Sequence, residues 1–297
     1  MLGAHAQMKD MEKYIQTNME HFRALSVSTN KVLAFSYKGK EYILKKQALP
    51  DDGLSPFWRM MKDVFGSGFQ MQRALMKNIC ALLGKNPHIP VARLVLVDEA
   101  ERMQVFEKMA GSGWEPDVFP EGAAIAYQLG LFTGFHHSRS YDNDELPGMG
   151  LSSPLKEKIM RHMEYTLSLH WNGESALDAS VRAYFEKLKA MDVSCGDLSL
   201  IMADISANQF LFDESGIAAC VDLDAYVLGP RAWELALIEN CLQDMGSFKK
   251  GYEEYLRYPD MEGAEGFYGF LMALNDVWEK GEMKAFLKKK GFFPEGV

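Results

Sequence analysis

Between Leu198 and Ala236 the chain sets short apolar runs and polar loops in an order that constrains the whole fold. The apolar-rich Ser199 to Met202 leads into a small polar loop, Ala203 to Gln209, that carries Asp204. Phe210 to Phe212 is apolar again, and Asp213-Glu214-Ser215-Gly216 is a turn signal. Ile217 to Val221 then returns as the other arm of a hairpin and delivers Asp222 at its end. Both carboxylates are therefore expected to face one cleft. Singly, each aspartate reads as an ordinary turn-flanking acid; the ordered set carries the information.

A carboxylate that orients an attacking hydroxyl, close to oxygen ligands for Mg2+ bridging the β- and γ-phosphates, is what phosphoryl transfer requires. At these residues the sequence resembles the aminoglycoside phosphotransferase and choline kinase-like family, whose pattern runs H-G-D-x-x-x-x-N, two apolar residues after one more position, a turn, and then an apolar-D-W/L-E/D segment. The downstream Gly229 to Ala236, GPRAWELA, resembles the family's G-D-P-x-x-D-L-A. The resemblance implies an α+β, two-lobed protein kinase-like fold, with a small β-rich N-terminal lobe and a mainly helical C-terminal lobe. It implies ATP and Mg2+ as cofactors and a hydroxyl of a small aminoglycoside-like, choline-like or sugar-like molecule as acceptor. Asp204 then matches the catalytic aspartate, Asp222 the metal aspartate, and Gln209 the metal-binding asparagine position, with Asn208 as an alternative ligand. Asp224 is either surface charge or a second metal or substrate contact. Met202 stands where the family has histidine, and Gln209 where it has asparagine. A glutamine amide oxygen can still bind Mg2+, but its extra methylene changes the reach toward an ion that demands near-octahedral geometry.

The front of the chain fits a nucleotide-binding lobe. Met8, Met11, Ile15, Met19 and Phe22 fall at helical spacing. Two strand-like runs follow, Lys31 to Tyr37 and Glu41 to Lys46, joined by Lys38-Gly39-Lys40. This segment resembles the family's first hairpins, which implies that Lys45 contacts the nucleotide phosphates and that Ser26, Ser28, Thr29 and Asn30 form the phosphate loop. That loop has no glycine, so it relies on short hydroxyl side chains and exposed N–H groups. Ser55-Pro56 starts a helical pattern that runs to about Gly84, broken near Gly66-Ser67-Gly68. Kinase-like folds use a glutamate here to hold the strand lysine, yet Asp63 is the only acid between Gly53 and Asp98. Val91 to Asp98 and Arg102 to Glu107 read as a second hairpin. By resemblance Phe106 to Met109 is the hinge, with Glu107 and Met109 offering backbone groups to the adenine edge.

The rest reads as helical apart from the acid-bearing hairpin. Ile125, Leu129, Phe132 and His136 mark one face of a helix from about Glu121 to Arg139, with His136 read as a packed structural histidine. Ser153-Pro154 opens another helix, and Val181, Tyr184, Phe185, Leu188 and Met191 line the next. Further helices are expected at about Ala232 to Met245, Phe248 to Leu256 and Glu262 to Lys290. The expected organisation is an N-terminal nucleotide-binding lobe with a leading helix over 1–109, a Gly-, Pro- and acid-rich linker over 110–120, and a helical C-terminal lobe over 121–297 that carries the hairpins. Glu234 is expected to make a structural contact beneath the catalytic loop.

Composition narrows the alternatives. In 297 residues the formal net charge is -9, which argues against nucleic acid as a partner because binding a polyanion needs clustered Lys and Arg. No apolar run approaches the roughly 20 residues that span a bilayer, and no basic stretch with an apolar core opens the chain, so the cytoplasm is the expected compartment. Four cysteines without C-x-x-C spacing read as reduced, buried thiols. No Walker A signature, dinucleotide fingerprint or G-x-S-x-G elbow is present. The competing function is a kinase-like module that binds nucleotide or another ligand without transferring phosphate.

Overall fold

The computed structural model describes residues 2–27, 30–50, 55–141, 154–171, 175–191, 193, 195, 197–275 and 282–291. Ser28 and Thr29 of the expected phosphate loop lie outside this set. Helix α1 (Leu2–Asn18) precedes an antiparallel five-stranded sheet made from β1 (Arg23–Val27), β2 (Asn30–Tyr37), β3 (Lys40–Gln47), β4 (Leu94–Asp98) and β5 (Met103–Glu107). The strand order is β1-β2-β3-β5-β4, and α2 (Pro56–Phe65) and α3 (Phe69–Leu83) are inserted between β3 and β4. The β2–β3 turn forms at Lys38 and Gly39, which take φ of 49° and 77°. Two consecutive left-handed residues match the right-handed twist of the strands they join.

Strand alternation decides where Lys45 points. Leu33, Phe35 and Tyr37 of β2, Tyr42 and Leu44 of β3, Leu96 of β4, and Met103 and Val105 of β5 share one apolar face, closed by Met11 and Ile15 of α1. Successive side chains leave a strand on opposite sides. Lys45 and its register partner Gln104 therefore stand on the other face, where Phe106 joins the main core.

The second half begins with β6 (Ser112–Gly113) and the helices α4 (Ala123–His137), α5 (Leu155–His170) and α6 (Ala176–Lys189). Then come β7 (Leu198–Met202), β8 (Phe210–Asp213), β9 (Gly216–Cys220) and β10 (Tyr226–Pro230), followed by α7 (Arg231–Cys241), α8 (Met245–Tyr252), α9 (Ala264–Leu274) and α10 (Glu282–Lys289). The β8–β9 hairpin turns at Asp213-Gly216 as the turn signal requires. β6 pairs with β8, so the connecting segment lies against the acid-bearing hairpin. Gly111 makes that approach possible. Its φ is +113°, and a Cβ there would stand 2.9 Å from Leu211 Cβ.

Several expectations need correction. The helix read across Glu262 to Lys290 is two helices, with 276–281 outside the described residues. The strand read from Val91 starts at Leu94, because Val91 instead makes an isolated parallel bridge to Cys220. β10 was not foreseen as a strand, and it pairs with β7 along the full length of both. These pairings join segments distant in sequence, which local periodicity does not register. Helix α8 starts at Met245, three residues ahead of the expected Phe248, because the Asp244 side chain caps it by accepting from Ser247 N at 2.9 Å. Among the four free cysteines, Cys220 and Cys241 are buried and Cys80 and Cys195 are half-buried.

Helices α4 and α8 meet through glycines. A Cβ on Gly130 would overlap Phe248 O, one on Gly251 would overlap Tyr127 O, and one on Gly134 would stand 2.7 Å from Tyr252 O. Backbone faces backbone here, and neither helix can yield as a flexible side chain would. Gly134→Ala is expected to destabilise the protein by about 1–3 kcal/mol, the usual cost of overpacking. A urea midpoint that falls while the slope of the transition is kept would show it; an unchanged midpoint would mean that the helices separate freely.

Candidate active site

Lys45 is the best-defined member of the cleft. Its Nζ donates to Asp222 Oδ1 at 2.7 Å and to Asp224 Oδ2 at 3.2 Å, and lies 5.8 Å from the centroid of Phe106. Burial disfavours the ammonium, but the two carboxylates outweigh it and raise its pKa. Asp222 is opposed by burial in the same way, and Lys45 prevails, holding its carboxyl below the ordinary range. For Asp224 burial wins over the pull of Lys45, and its pKa is raised. The side chain of Asp222 is 48% exposed and that of Asp224 only 10%. Asn30, at the start of β2, donates from Nδ2 to Asp224 Oδ2 at 3.0 Å. Asn30, Lys45, Asp224, Gln72, Arg73 and Gln104 line a polar recess of about 10 Å³, roughly the space of one water.

Asp204 follows β7 by two residues, in the loop that leads to β8. Its Oδ1 is sealed from solvent and has no hydrogen-bond partner. Burial, reinforced by the charge of Asp222, pushes its pKa up to about 7, while the Gln209 amide acts in the opposite sense. The loop is closed by a reciprocal cap: the Ser206 side chain accepts from the Gln209 backbone and Gln209 Oε1 from Ser206 N. Gln209 Nε2 donates to Asp204 O at 2.9 Å, and Gln209 O accepts from Val221 N at 3.0 Å. Gln209 thus ties the Asp204 loop to the strand end that carries Asp222.

Asn208 faces away from this group. It donates to Asp117 Oδ1 at 2.6 Å and accepts from Ser206 Oγ, on an exposed part of the surface. Asp63, the one acid between Gly53 and Asp98, is 3.0 Å from His162 Nδ1 and does not face Lys45. Ser26 is exposed on β1. In the segment expected as the hinge, the N–H of Glu107 donates to Arg93 O at 2.9 Å and that of Lys108 to Glu41 O at 3.1 Å. The Glu107 carboxylate is paired with the Arg93 guanidinium, and Met109 packs half-buried on the main core. His136 is buried, its pKa pushed down to about 3 chiefly by burial, with Nδ1 3.0 Å from Tyr141 OH. It is a packed, neutral histidine.

The loop rests on a buried polar chain that the sequence indicated only at Glu234. Glu234 Oε1 accepts from Met202 N at 2.9 Å, and its Oε2 is 2.8 Å from His137 Nε2. The other ring nitrogen of His137 lies 3.0 Å from Tyr252 OH. Trp233 Nε1 donates to Ala203 O at 3.0 Å. Two consecutive residues at the start of α7 thus hold the two residues before Asp204. Among the described residues no three His, Cys, Asp or Glu side chains are grouped as a metal site. The half-exposed carboxylate of Asp222 nonetheless suits Mg2+, which commonly takes one or two protein carboxylates and completes its shell with phosphates and water.

The fold and this lysine-aspartate cleft define a protein kinase-like scaffold. A family model described as the phosphotransferase enzyme family matches residues 23–267, and the chain belongs to that family. No curated protein matches the sequence. Among solved structures, the macrolide 2'-phosphotransferase of Brachybacterium faecium is 14% identical, with 94% of this chain and 93% of that one covered and a TM-score of 0.64. A GDP complex of an aminoglycoside 2'-phosphotransferase is 12% identical over 96% and 93% of the two chains, with a TM-score of 0.63. An ADP-bound aminoglycoside 2''-phosphotransferase is 14% identical over 95% and 96%, with a TM-score of 0.57. At these identities the likeness is one of fold.

The raised pKa of Asp204 has a measurable effect on stability. The unfolded carboxyl ionises near its ordinary value of 3.8, while the folded one stays protonated up to about 7. Between these values the folded state binds more protons, so wild-type stability is lost as pH rises through the window and levels off above it. Asp204→Asn lacks this loss. It is expected to melt level with wild type near pH 4 and at least about 2 °C higher at pH 8, read by calorimetry across the range. A gap that does not grow with pH would mean that the carboxyl is not strained.

Proposed function

We propose that this protein transfers the γ-phosphoryl group of ATP to a hydroxyl of a small molecule in the cytoplasm, with the nucleotide between an N-terminal lobe over 1–109 and a C-terminal lobe over 121–297 joined by 110–120. The observation that carries the reading is the pairing of Lys45 with Asp222 and Asp224, near enough to Asp204 for the charge of Asp222 to help raise its pKa. In the transfer, the acceptor oxygen bonds to the γ-phosphorus as the bond to the β,γ-bridging oxygen breaks. Asp204 orients the hydroxyl and takes its proton, for which a pKa near 7 is well matched at neutral pH. Lys45 meets the α- and β-phosphates, and the Met109 amide is the hinge donor left to the base, since those of Glu107 and Lys108 are used within the sheet. Asp222 would hold Mg2+, which when bound neutralises phosphate charge; the Gln209 amide can join it only by leaving its cap. The ADP and GDP complexes of the two aminoglycoside phosphotransferases support nucleotide use. An acceptor resembling an aminoglycoside, a choline-like amine or a sugar is in keeping with the family.

One observation favours a module that binds without transferring. Both amide candidates for the metal are engaged elsewhere, Gln209 in its loop and Asn208 on Asp117. The two readings separate through Asp204. With ATP consumption followed against a panel of aminoglycosides, amines, sugars and nucleosides, Asp204→Ala is expected to abolish turnover while calorimetric affinity for Mg2+–ADP stays within about threefold. Asp222→Ala is expected to weaken Mg2+-dependent binding itself. Turnover that survives Asp204→Ala would refute the mechanism. Nucleotide binding without consumption above background would establish the binding module.

A further inference from the structure

A strand lysine that meets phosphates must itself be held, and in kinases the helix behind the sheet supplies a glutamate for that purpose. The corresponding helix here, α3, reads FQMQRALMKNICALL and contains no acid. On α2 the one acid, Asp63, is taken by His162. Of the α3 side chains at the recess, Gln72 donates from Nε2 to Tyr226 O at 3.1 Å and leaves only a neutral, partnerless amide oxygen, and Arg73 reaches Glu99 at 3.3 Å and Gln47 at 2.9 Å. Lys45 turns instead to two carboxylates from the far side of the cleft.

Those carboxylates are not equivalent. Asp222 is about half exposed and lies where phosphate and metal would arrive. Asp224 is buried behind it, fixed by Asn30, and faces the small polar recess beside Gln72 and Gln104. When the mouth of the cleft fills, Asp222 gains competing partners and Asp224 does not. Resting on the phosphotransfer reading above, we propose that Asp224 is the positioning residue for Lys45, taking over the task of the acid missing from α3. The lysine and its anchor then belong to different lobes. Placement of Lys45 depends on the segment after β9 and no longer on the position of a helix, so displacement of α3 could not switch this site off.

The test uses full-length protein with Asp224→Asn, and with Asp224→Asn combined with Gln72→Glu, which moves an acid back to α3 at the recess. Turnover of Mg2+–ATP, calorimetric affinity for Mg2+–ADP and melting temperature are compared. Asp224→Asn should stay folded and lower kcat by about tenfold or more, because a small misplacement of a positioned group is costly, with KM and ADP affinity within about threefold. The double variant should regain a substantial part of kcat. A kcat of Asp224→Asn within about threefold of wild type, or a double variant as slow as the single one, overturns the proposal. So does activity recovered by raising Mg2+, which would make Asp224 a metal ligand. A wild type that binds no nucleotide defeats the phosphotransfer reading itself, and is recognised before any variant is made.

Discussion

A buried ammonium is costly unless carboxylates surround it, and the placement of Lys45 between Asp222 and Asp224 is the constraint around which this molecule is arranged. The lysine comes from the third strand of the sheet, and both acids come from the segment that follows the β8–β9 hairpin, some 180 residues later. Satisfying it requires the two halves of the chain to close on each other. The backbone supports the same closure, since Ala92 N donates to Cys220 O and Cys220 N to Pro90 O, stitching the hairpin to the approach of β4.

The acid loop is held from beneath with comparable economy. Gly130, Gly134 and Gly251 let α4 and α8 touch backbone to backbone, which sets Tyr252 against His137. His137 then meets Glu234, and Glu234 takes the amide of Met202 just before the Asp204 loop. Each link is buried and each polar atom in it is paired, the condition under which a polar network stiffens a core instead of weakening it. Asp204 is the contrast, with a buried oxygen left unpartnered at the end of this rigid support. Strain of this kind is where function is to be sought.

The departures from the family pattern have local physical accounts. Met202 replaces a histidine, yet its side chain is fully buried and its amide is still gripped by Glu234, so the loop keeps its anchor without the imidazole. Gln209, one methylene longer than asparagine, reaches back to the Asp204 carbonyl and to Ser206 N. That length converts a residue expected at the metal into one that closes the loop. The acid absent from α3 is balanced by Asp224 on the opposite wall of the cleft.

Local pattern was enough to read the β2–β3 hairpin, the Asp213-Gly216 turn and most helices, because period, turn chemistry and caps act within a few residues. Family resemblance marked Lys45 as a residue of the same expected site as Asp222, since nothing local relates residues so far apart. The sequence did not disclose the β7–β10 ladder, the Val91–Cys220 bridge, the turning of Asn208 onto Asp117, or Asp224 as a partner of Lys45. In the sequence Asp224 could not be told from a surface charge. Its role appeared only when tertiary packing buried it to a side-chain exposure of 10% beside a lysine from the other half of the chain, where a charge must find its counterpart or be neutralised.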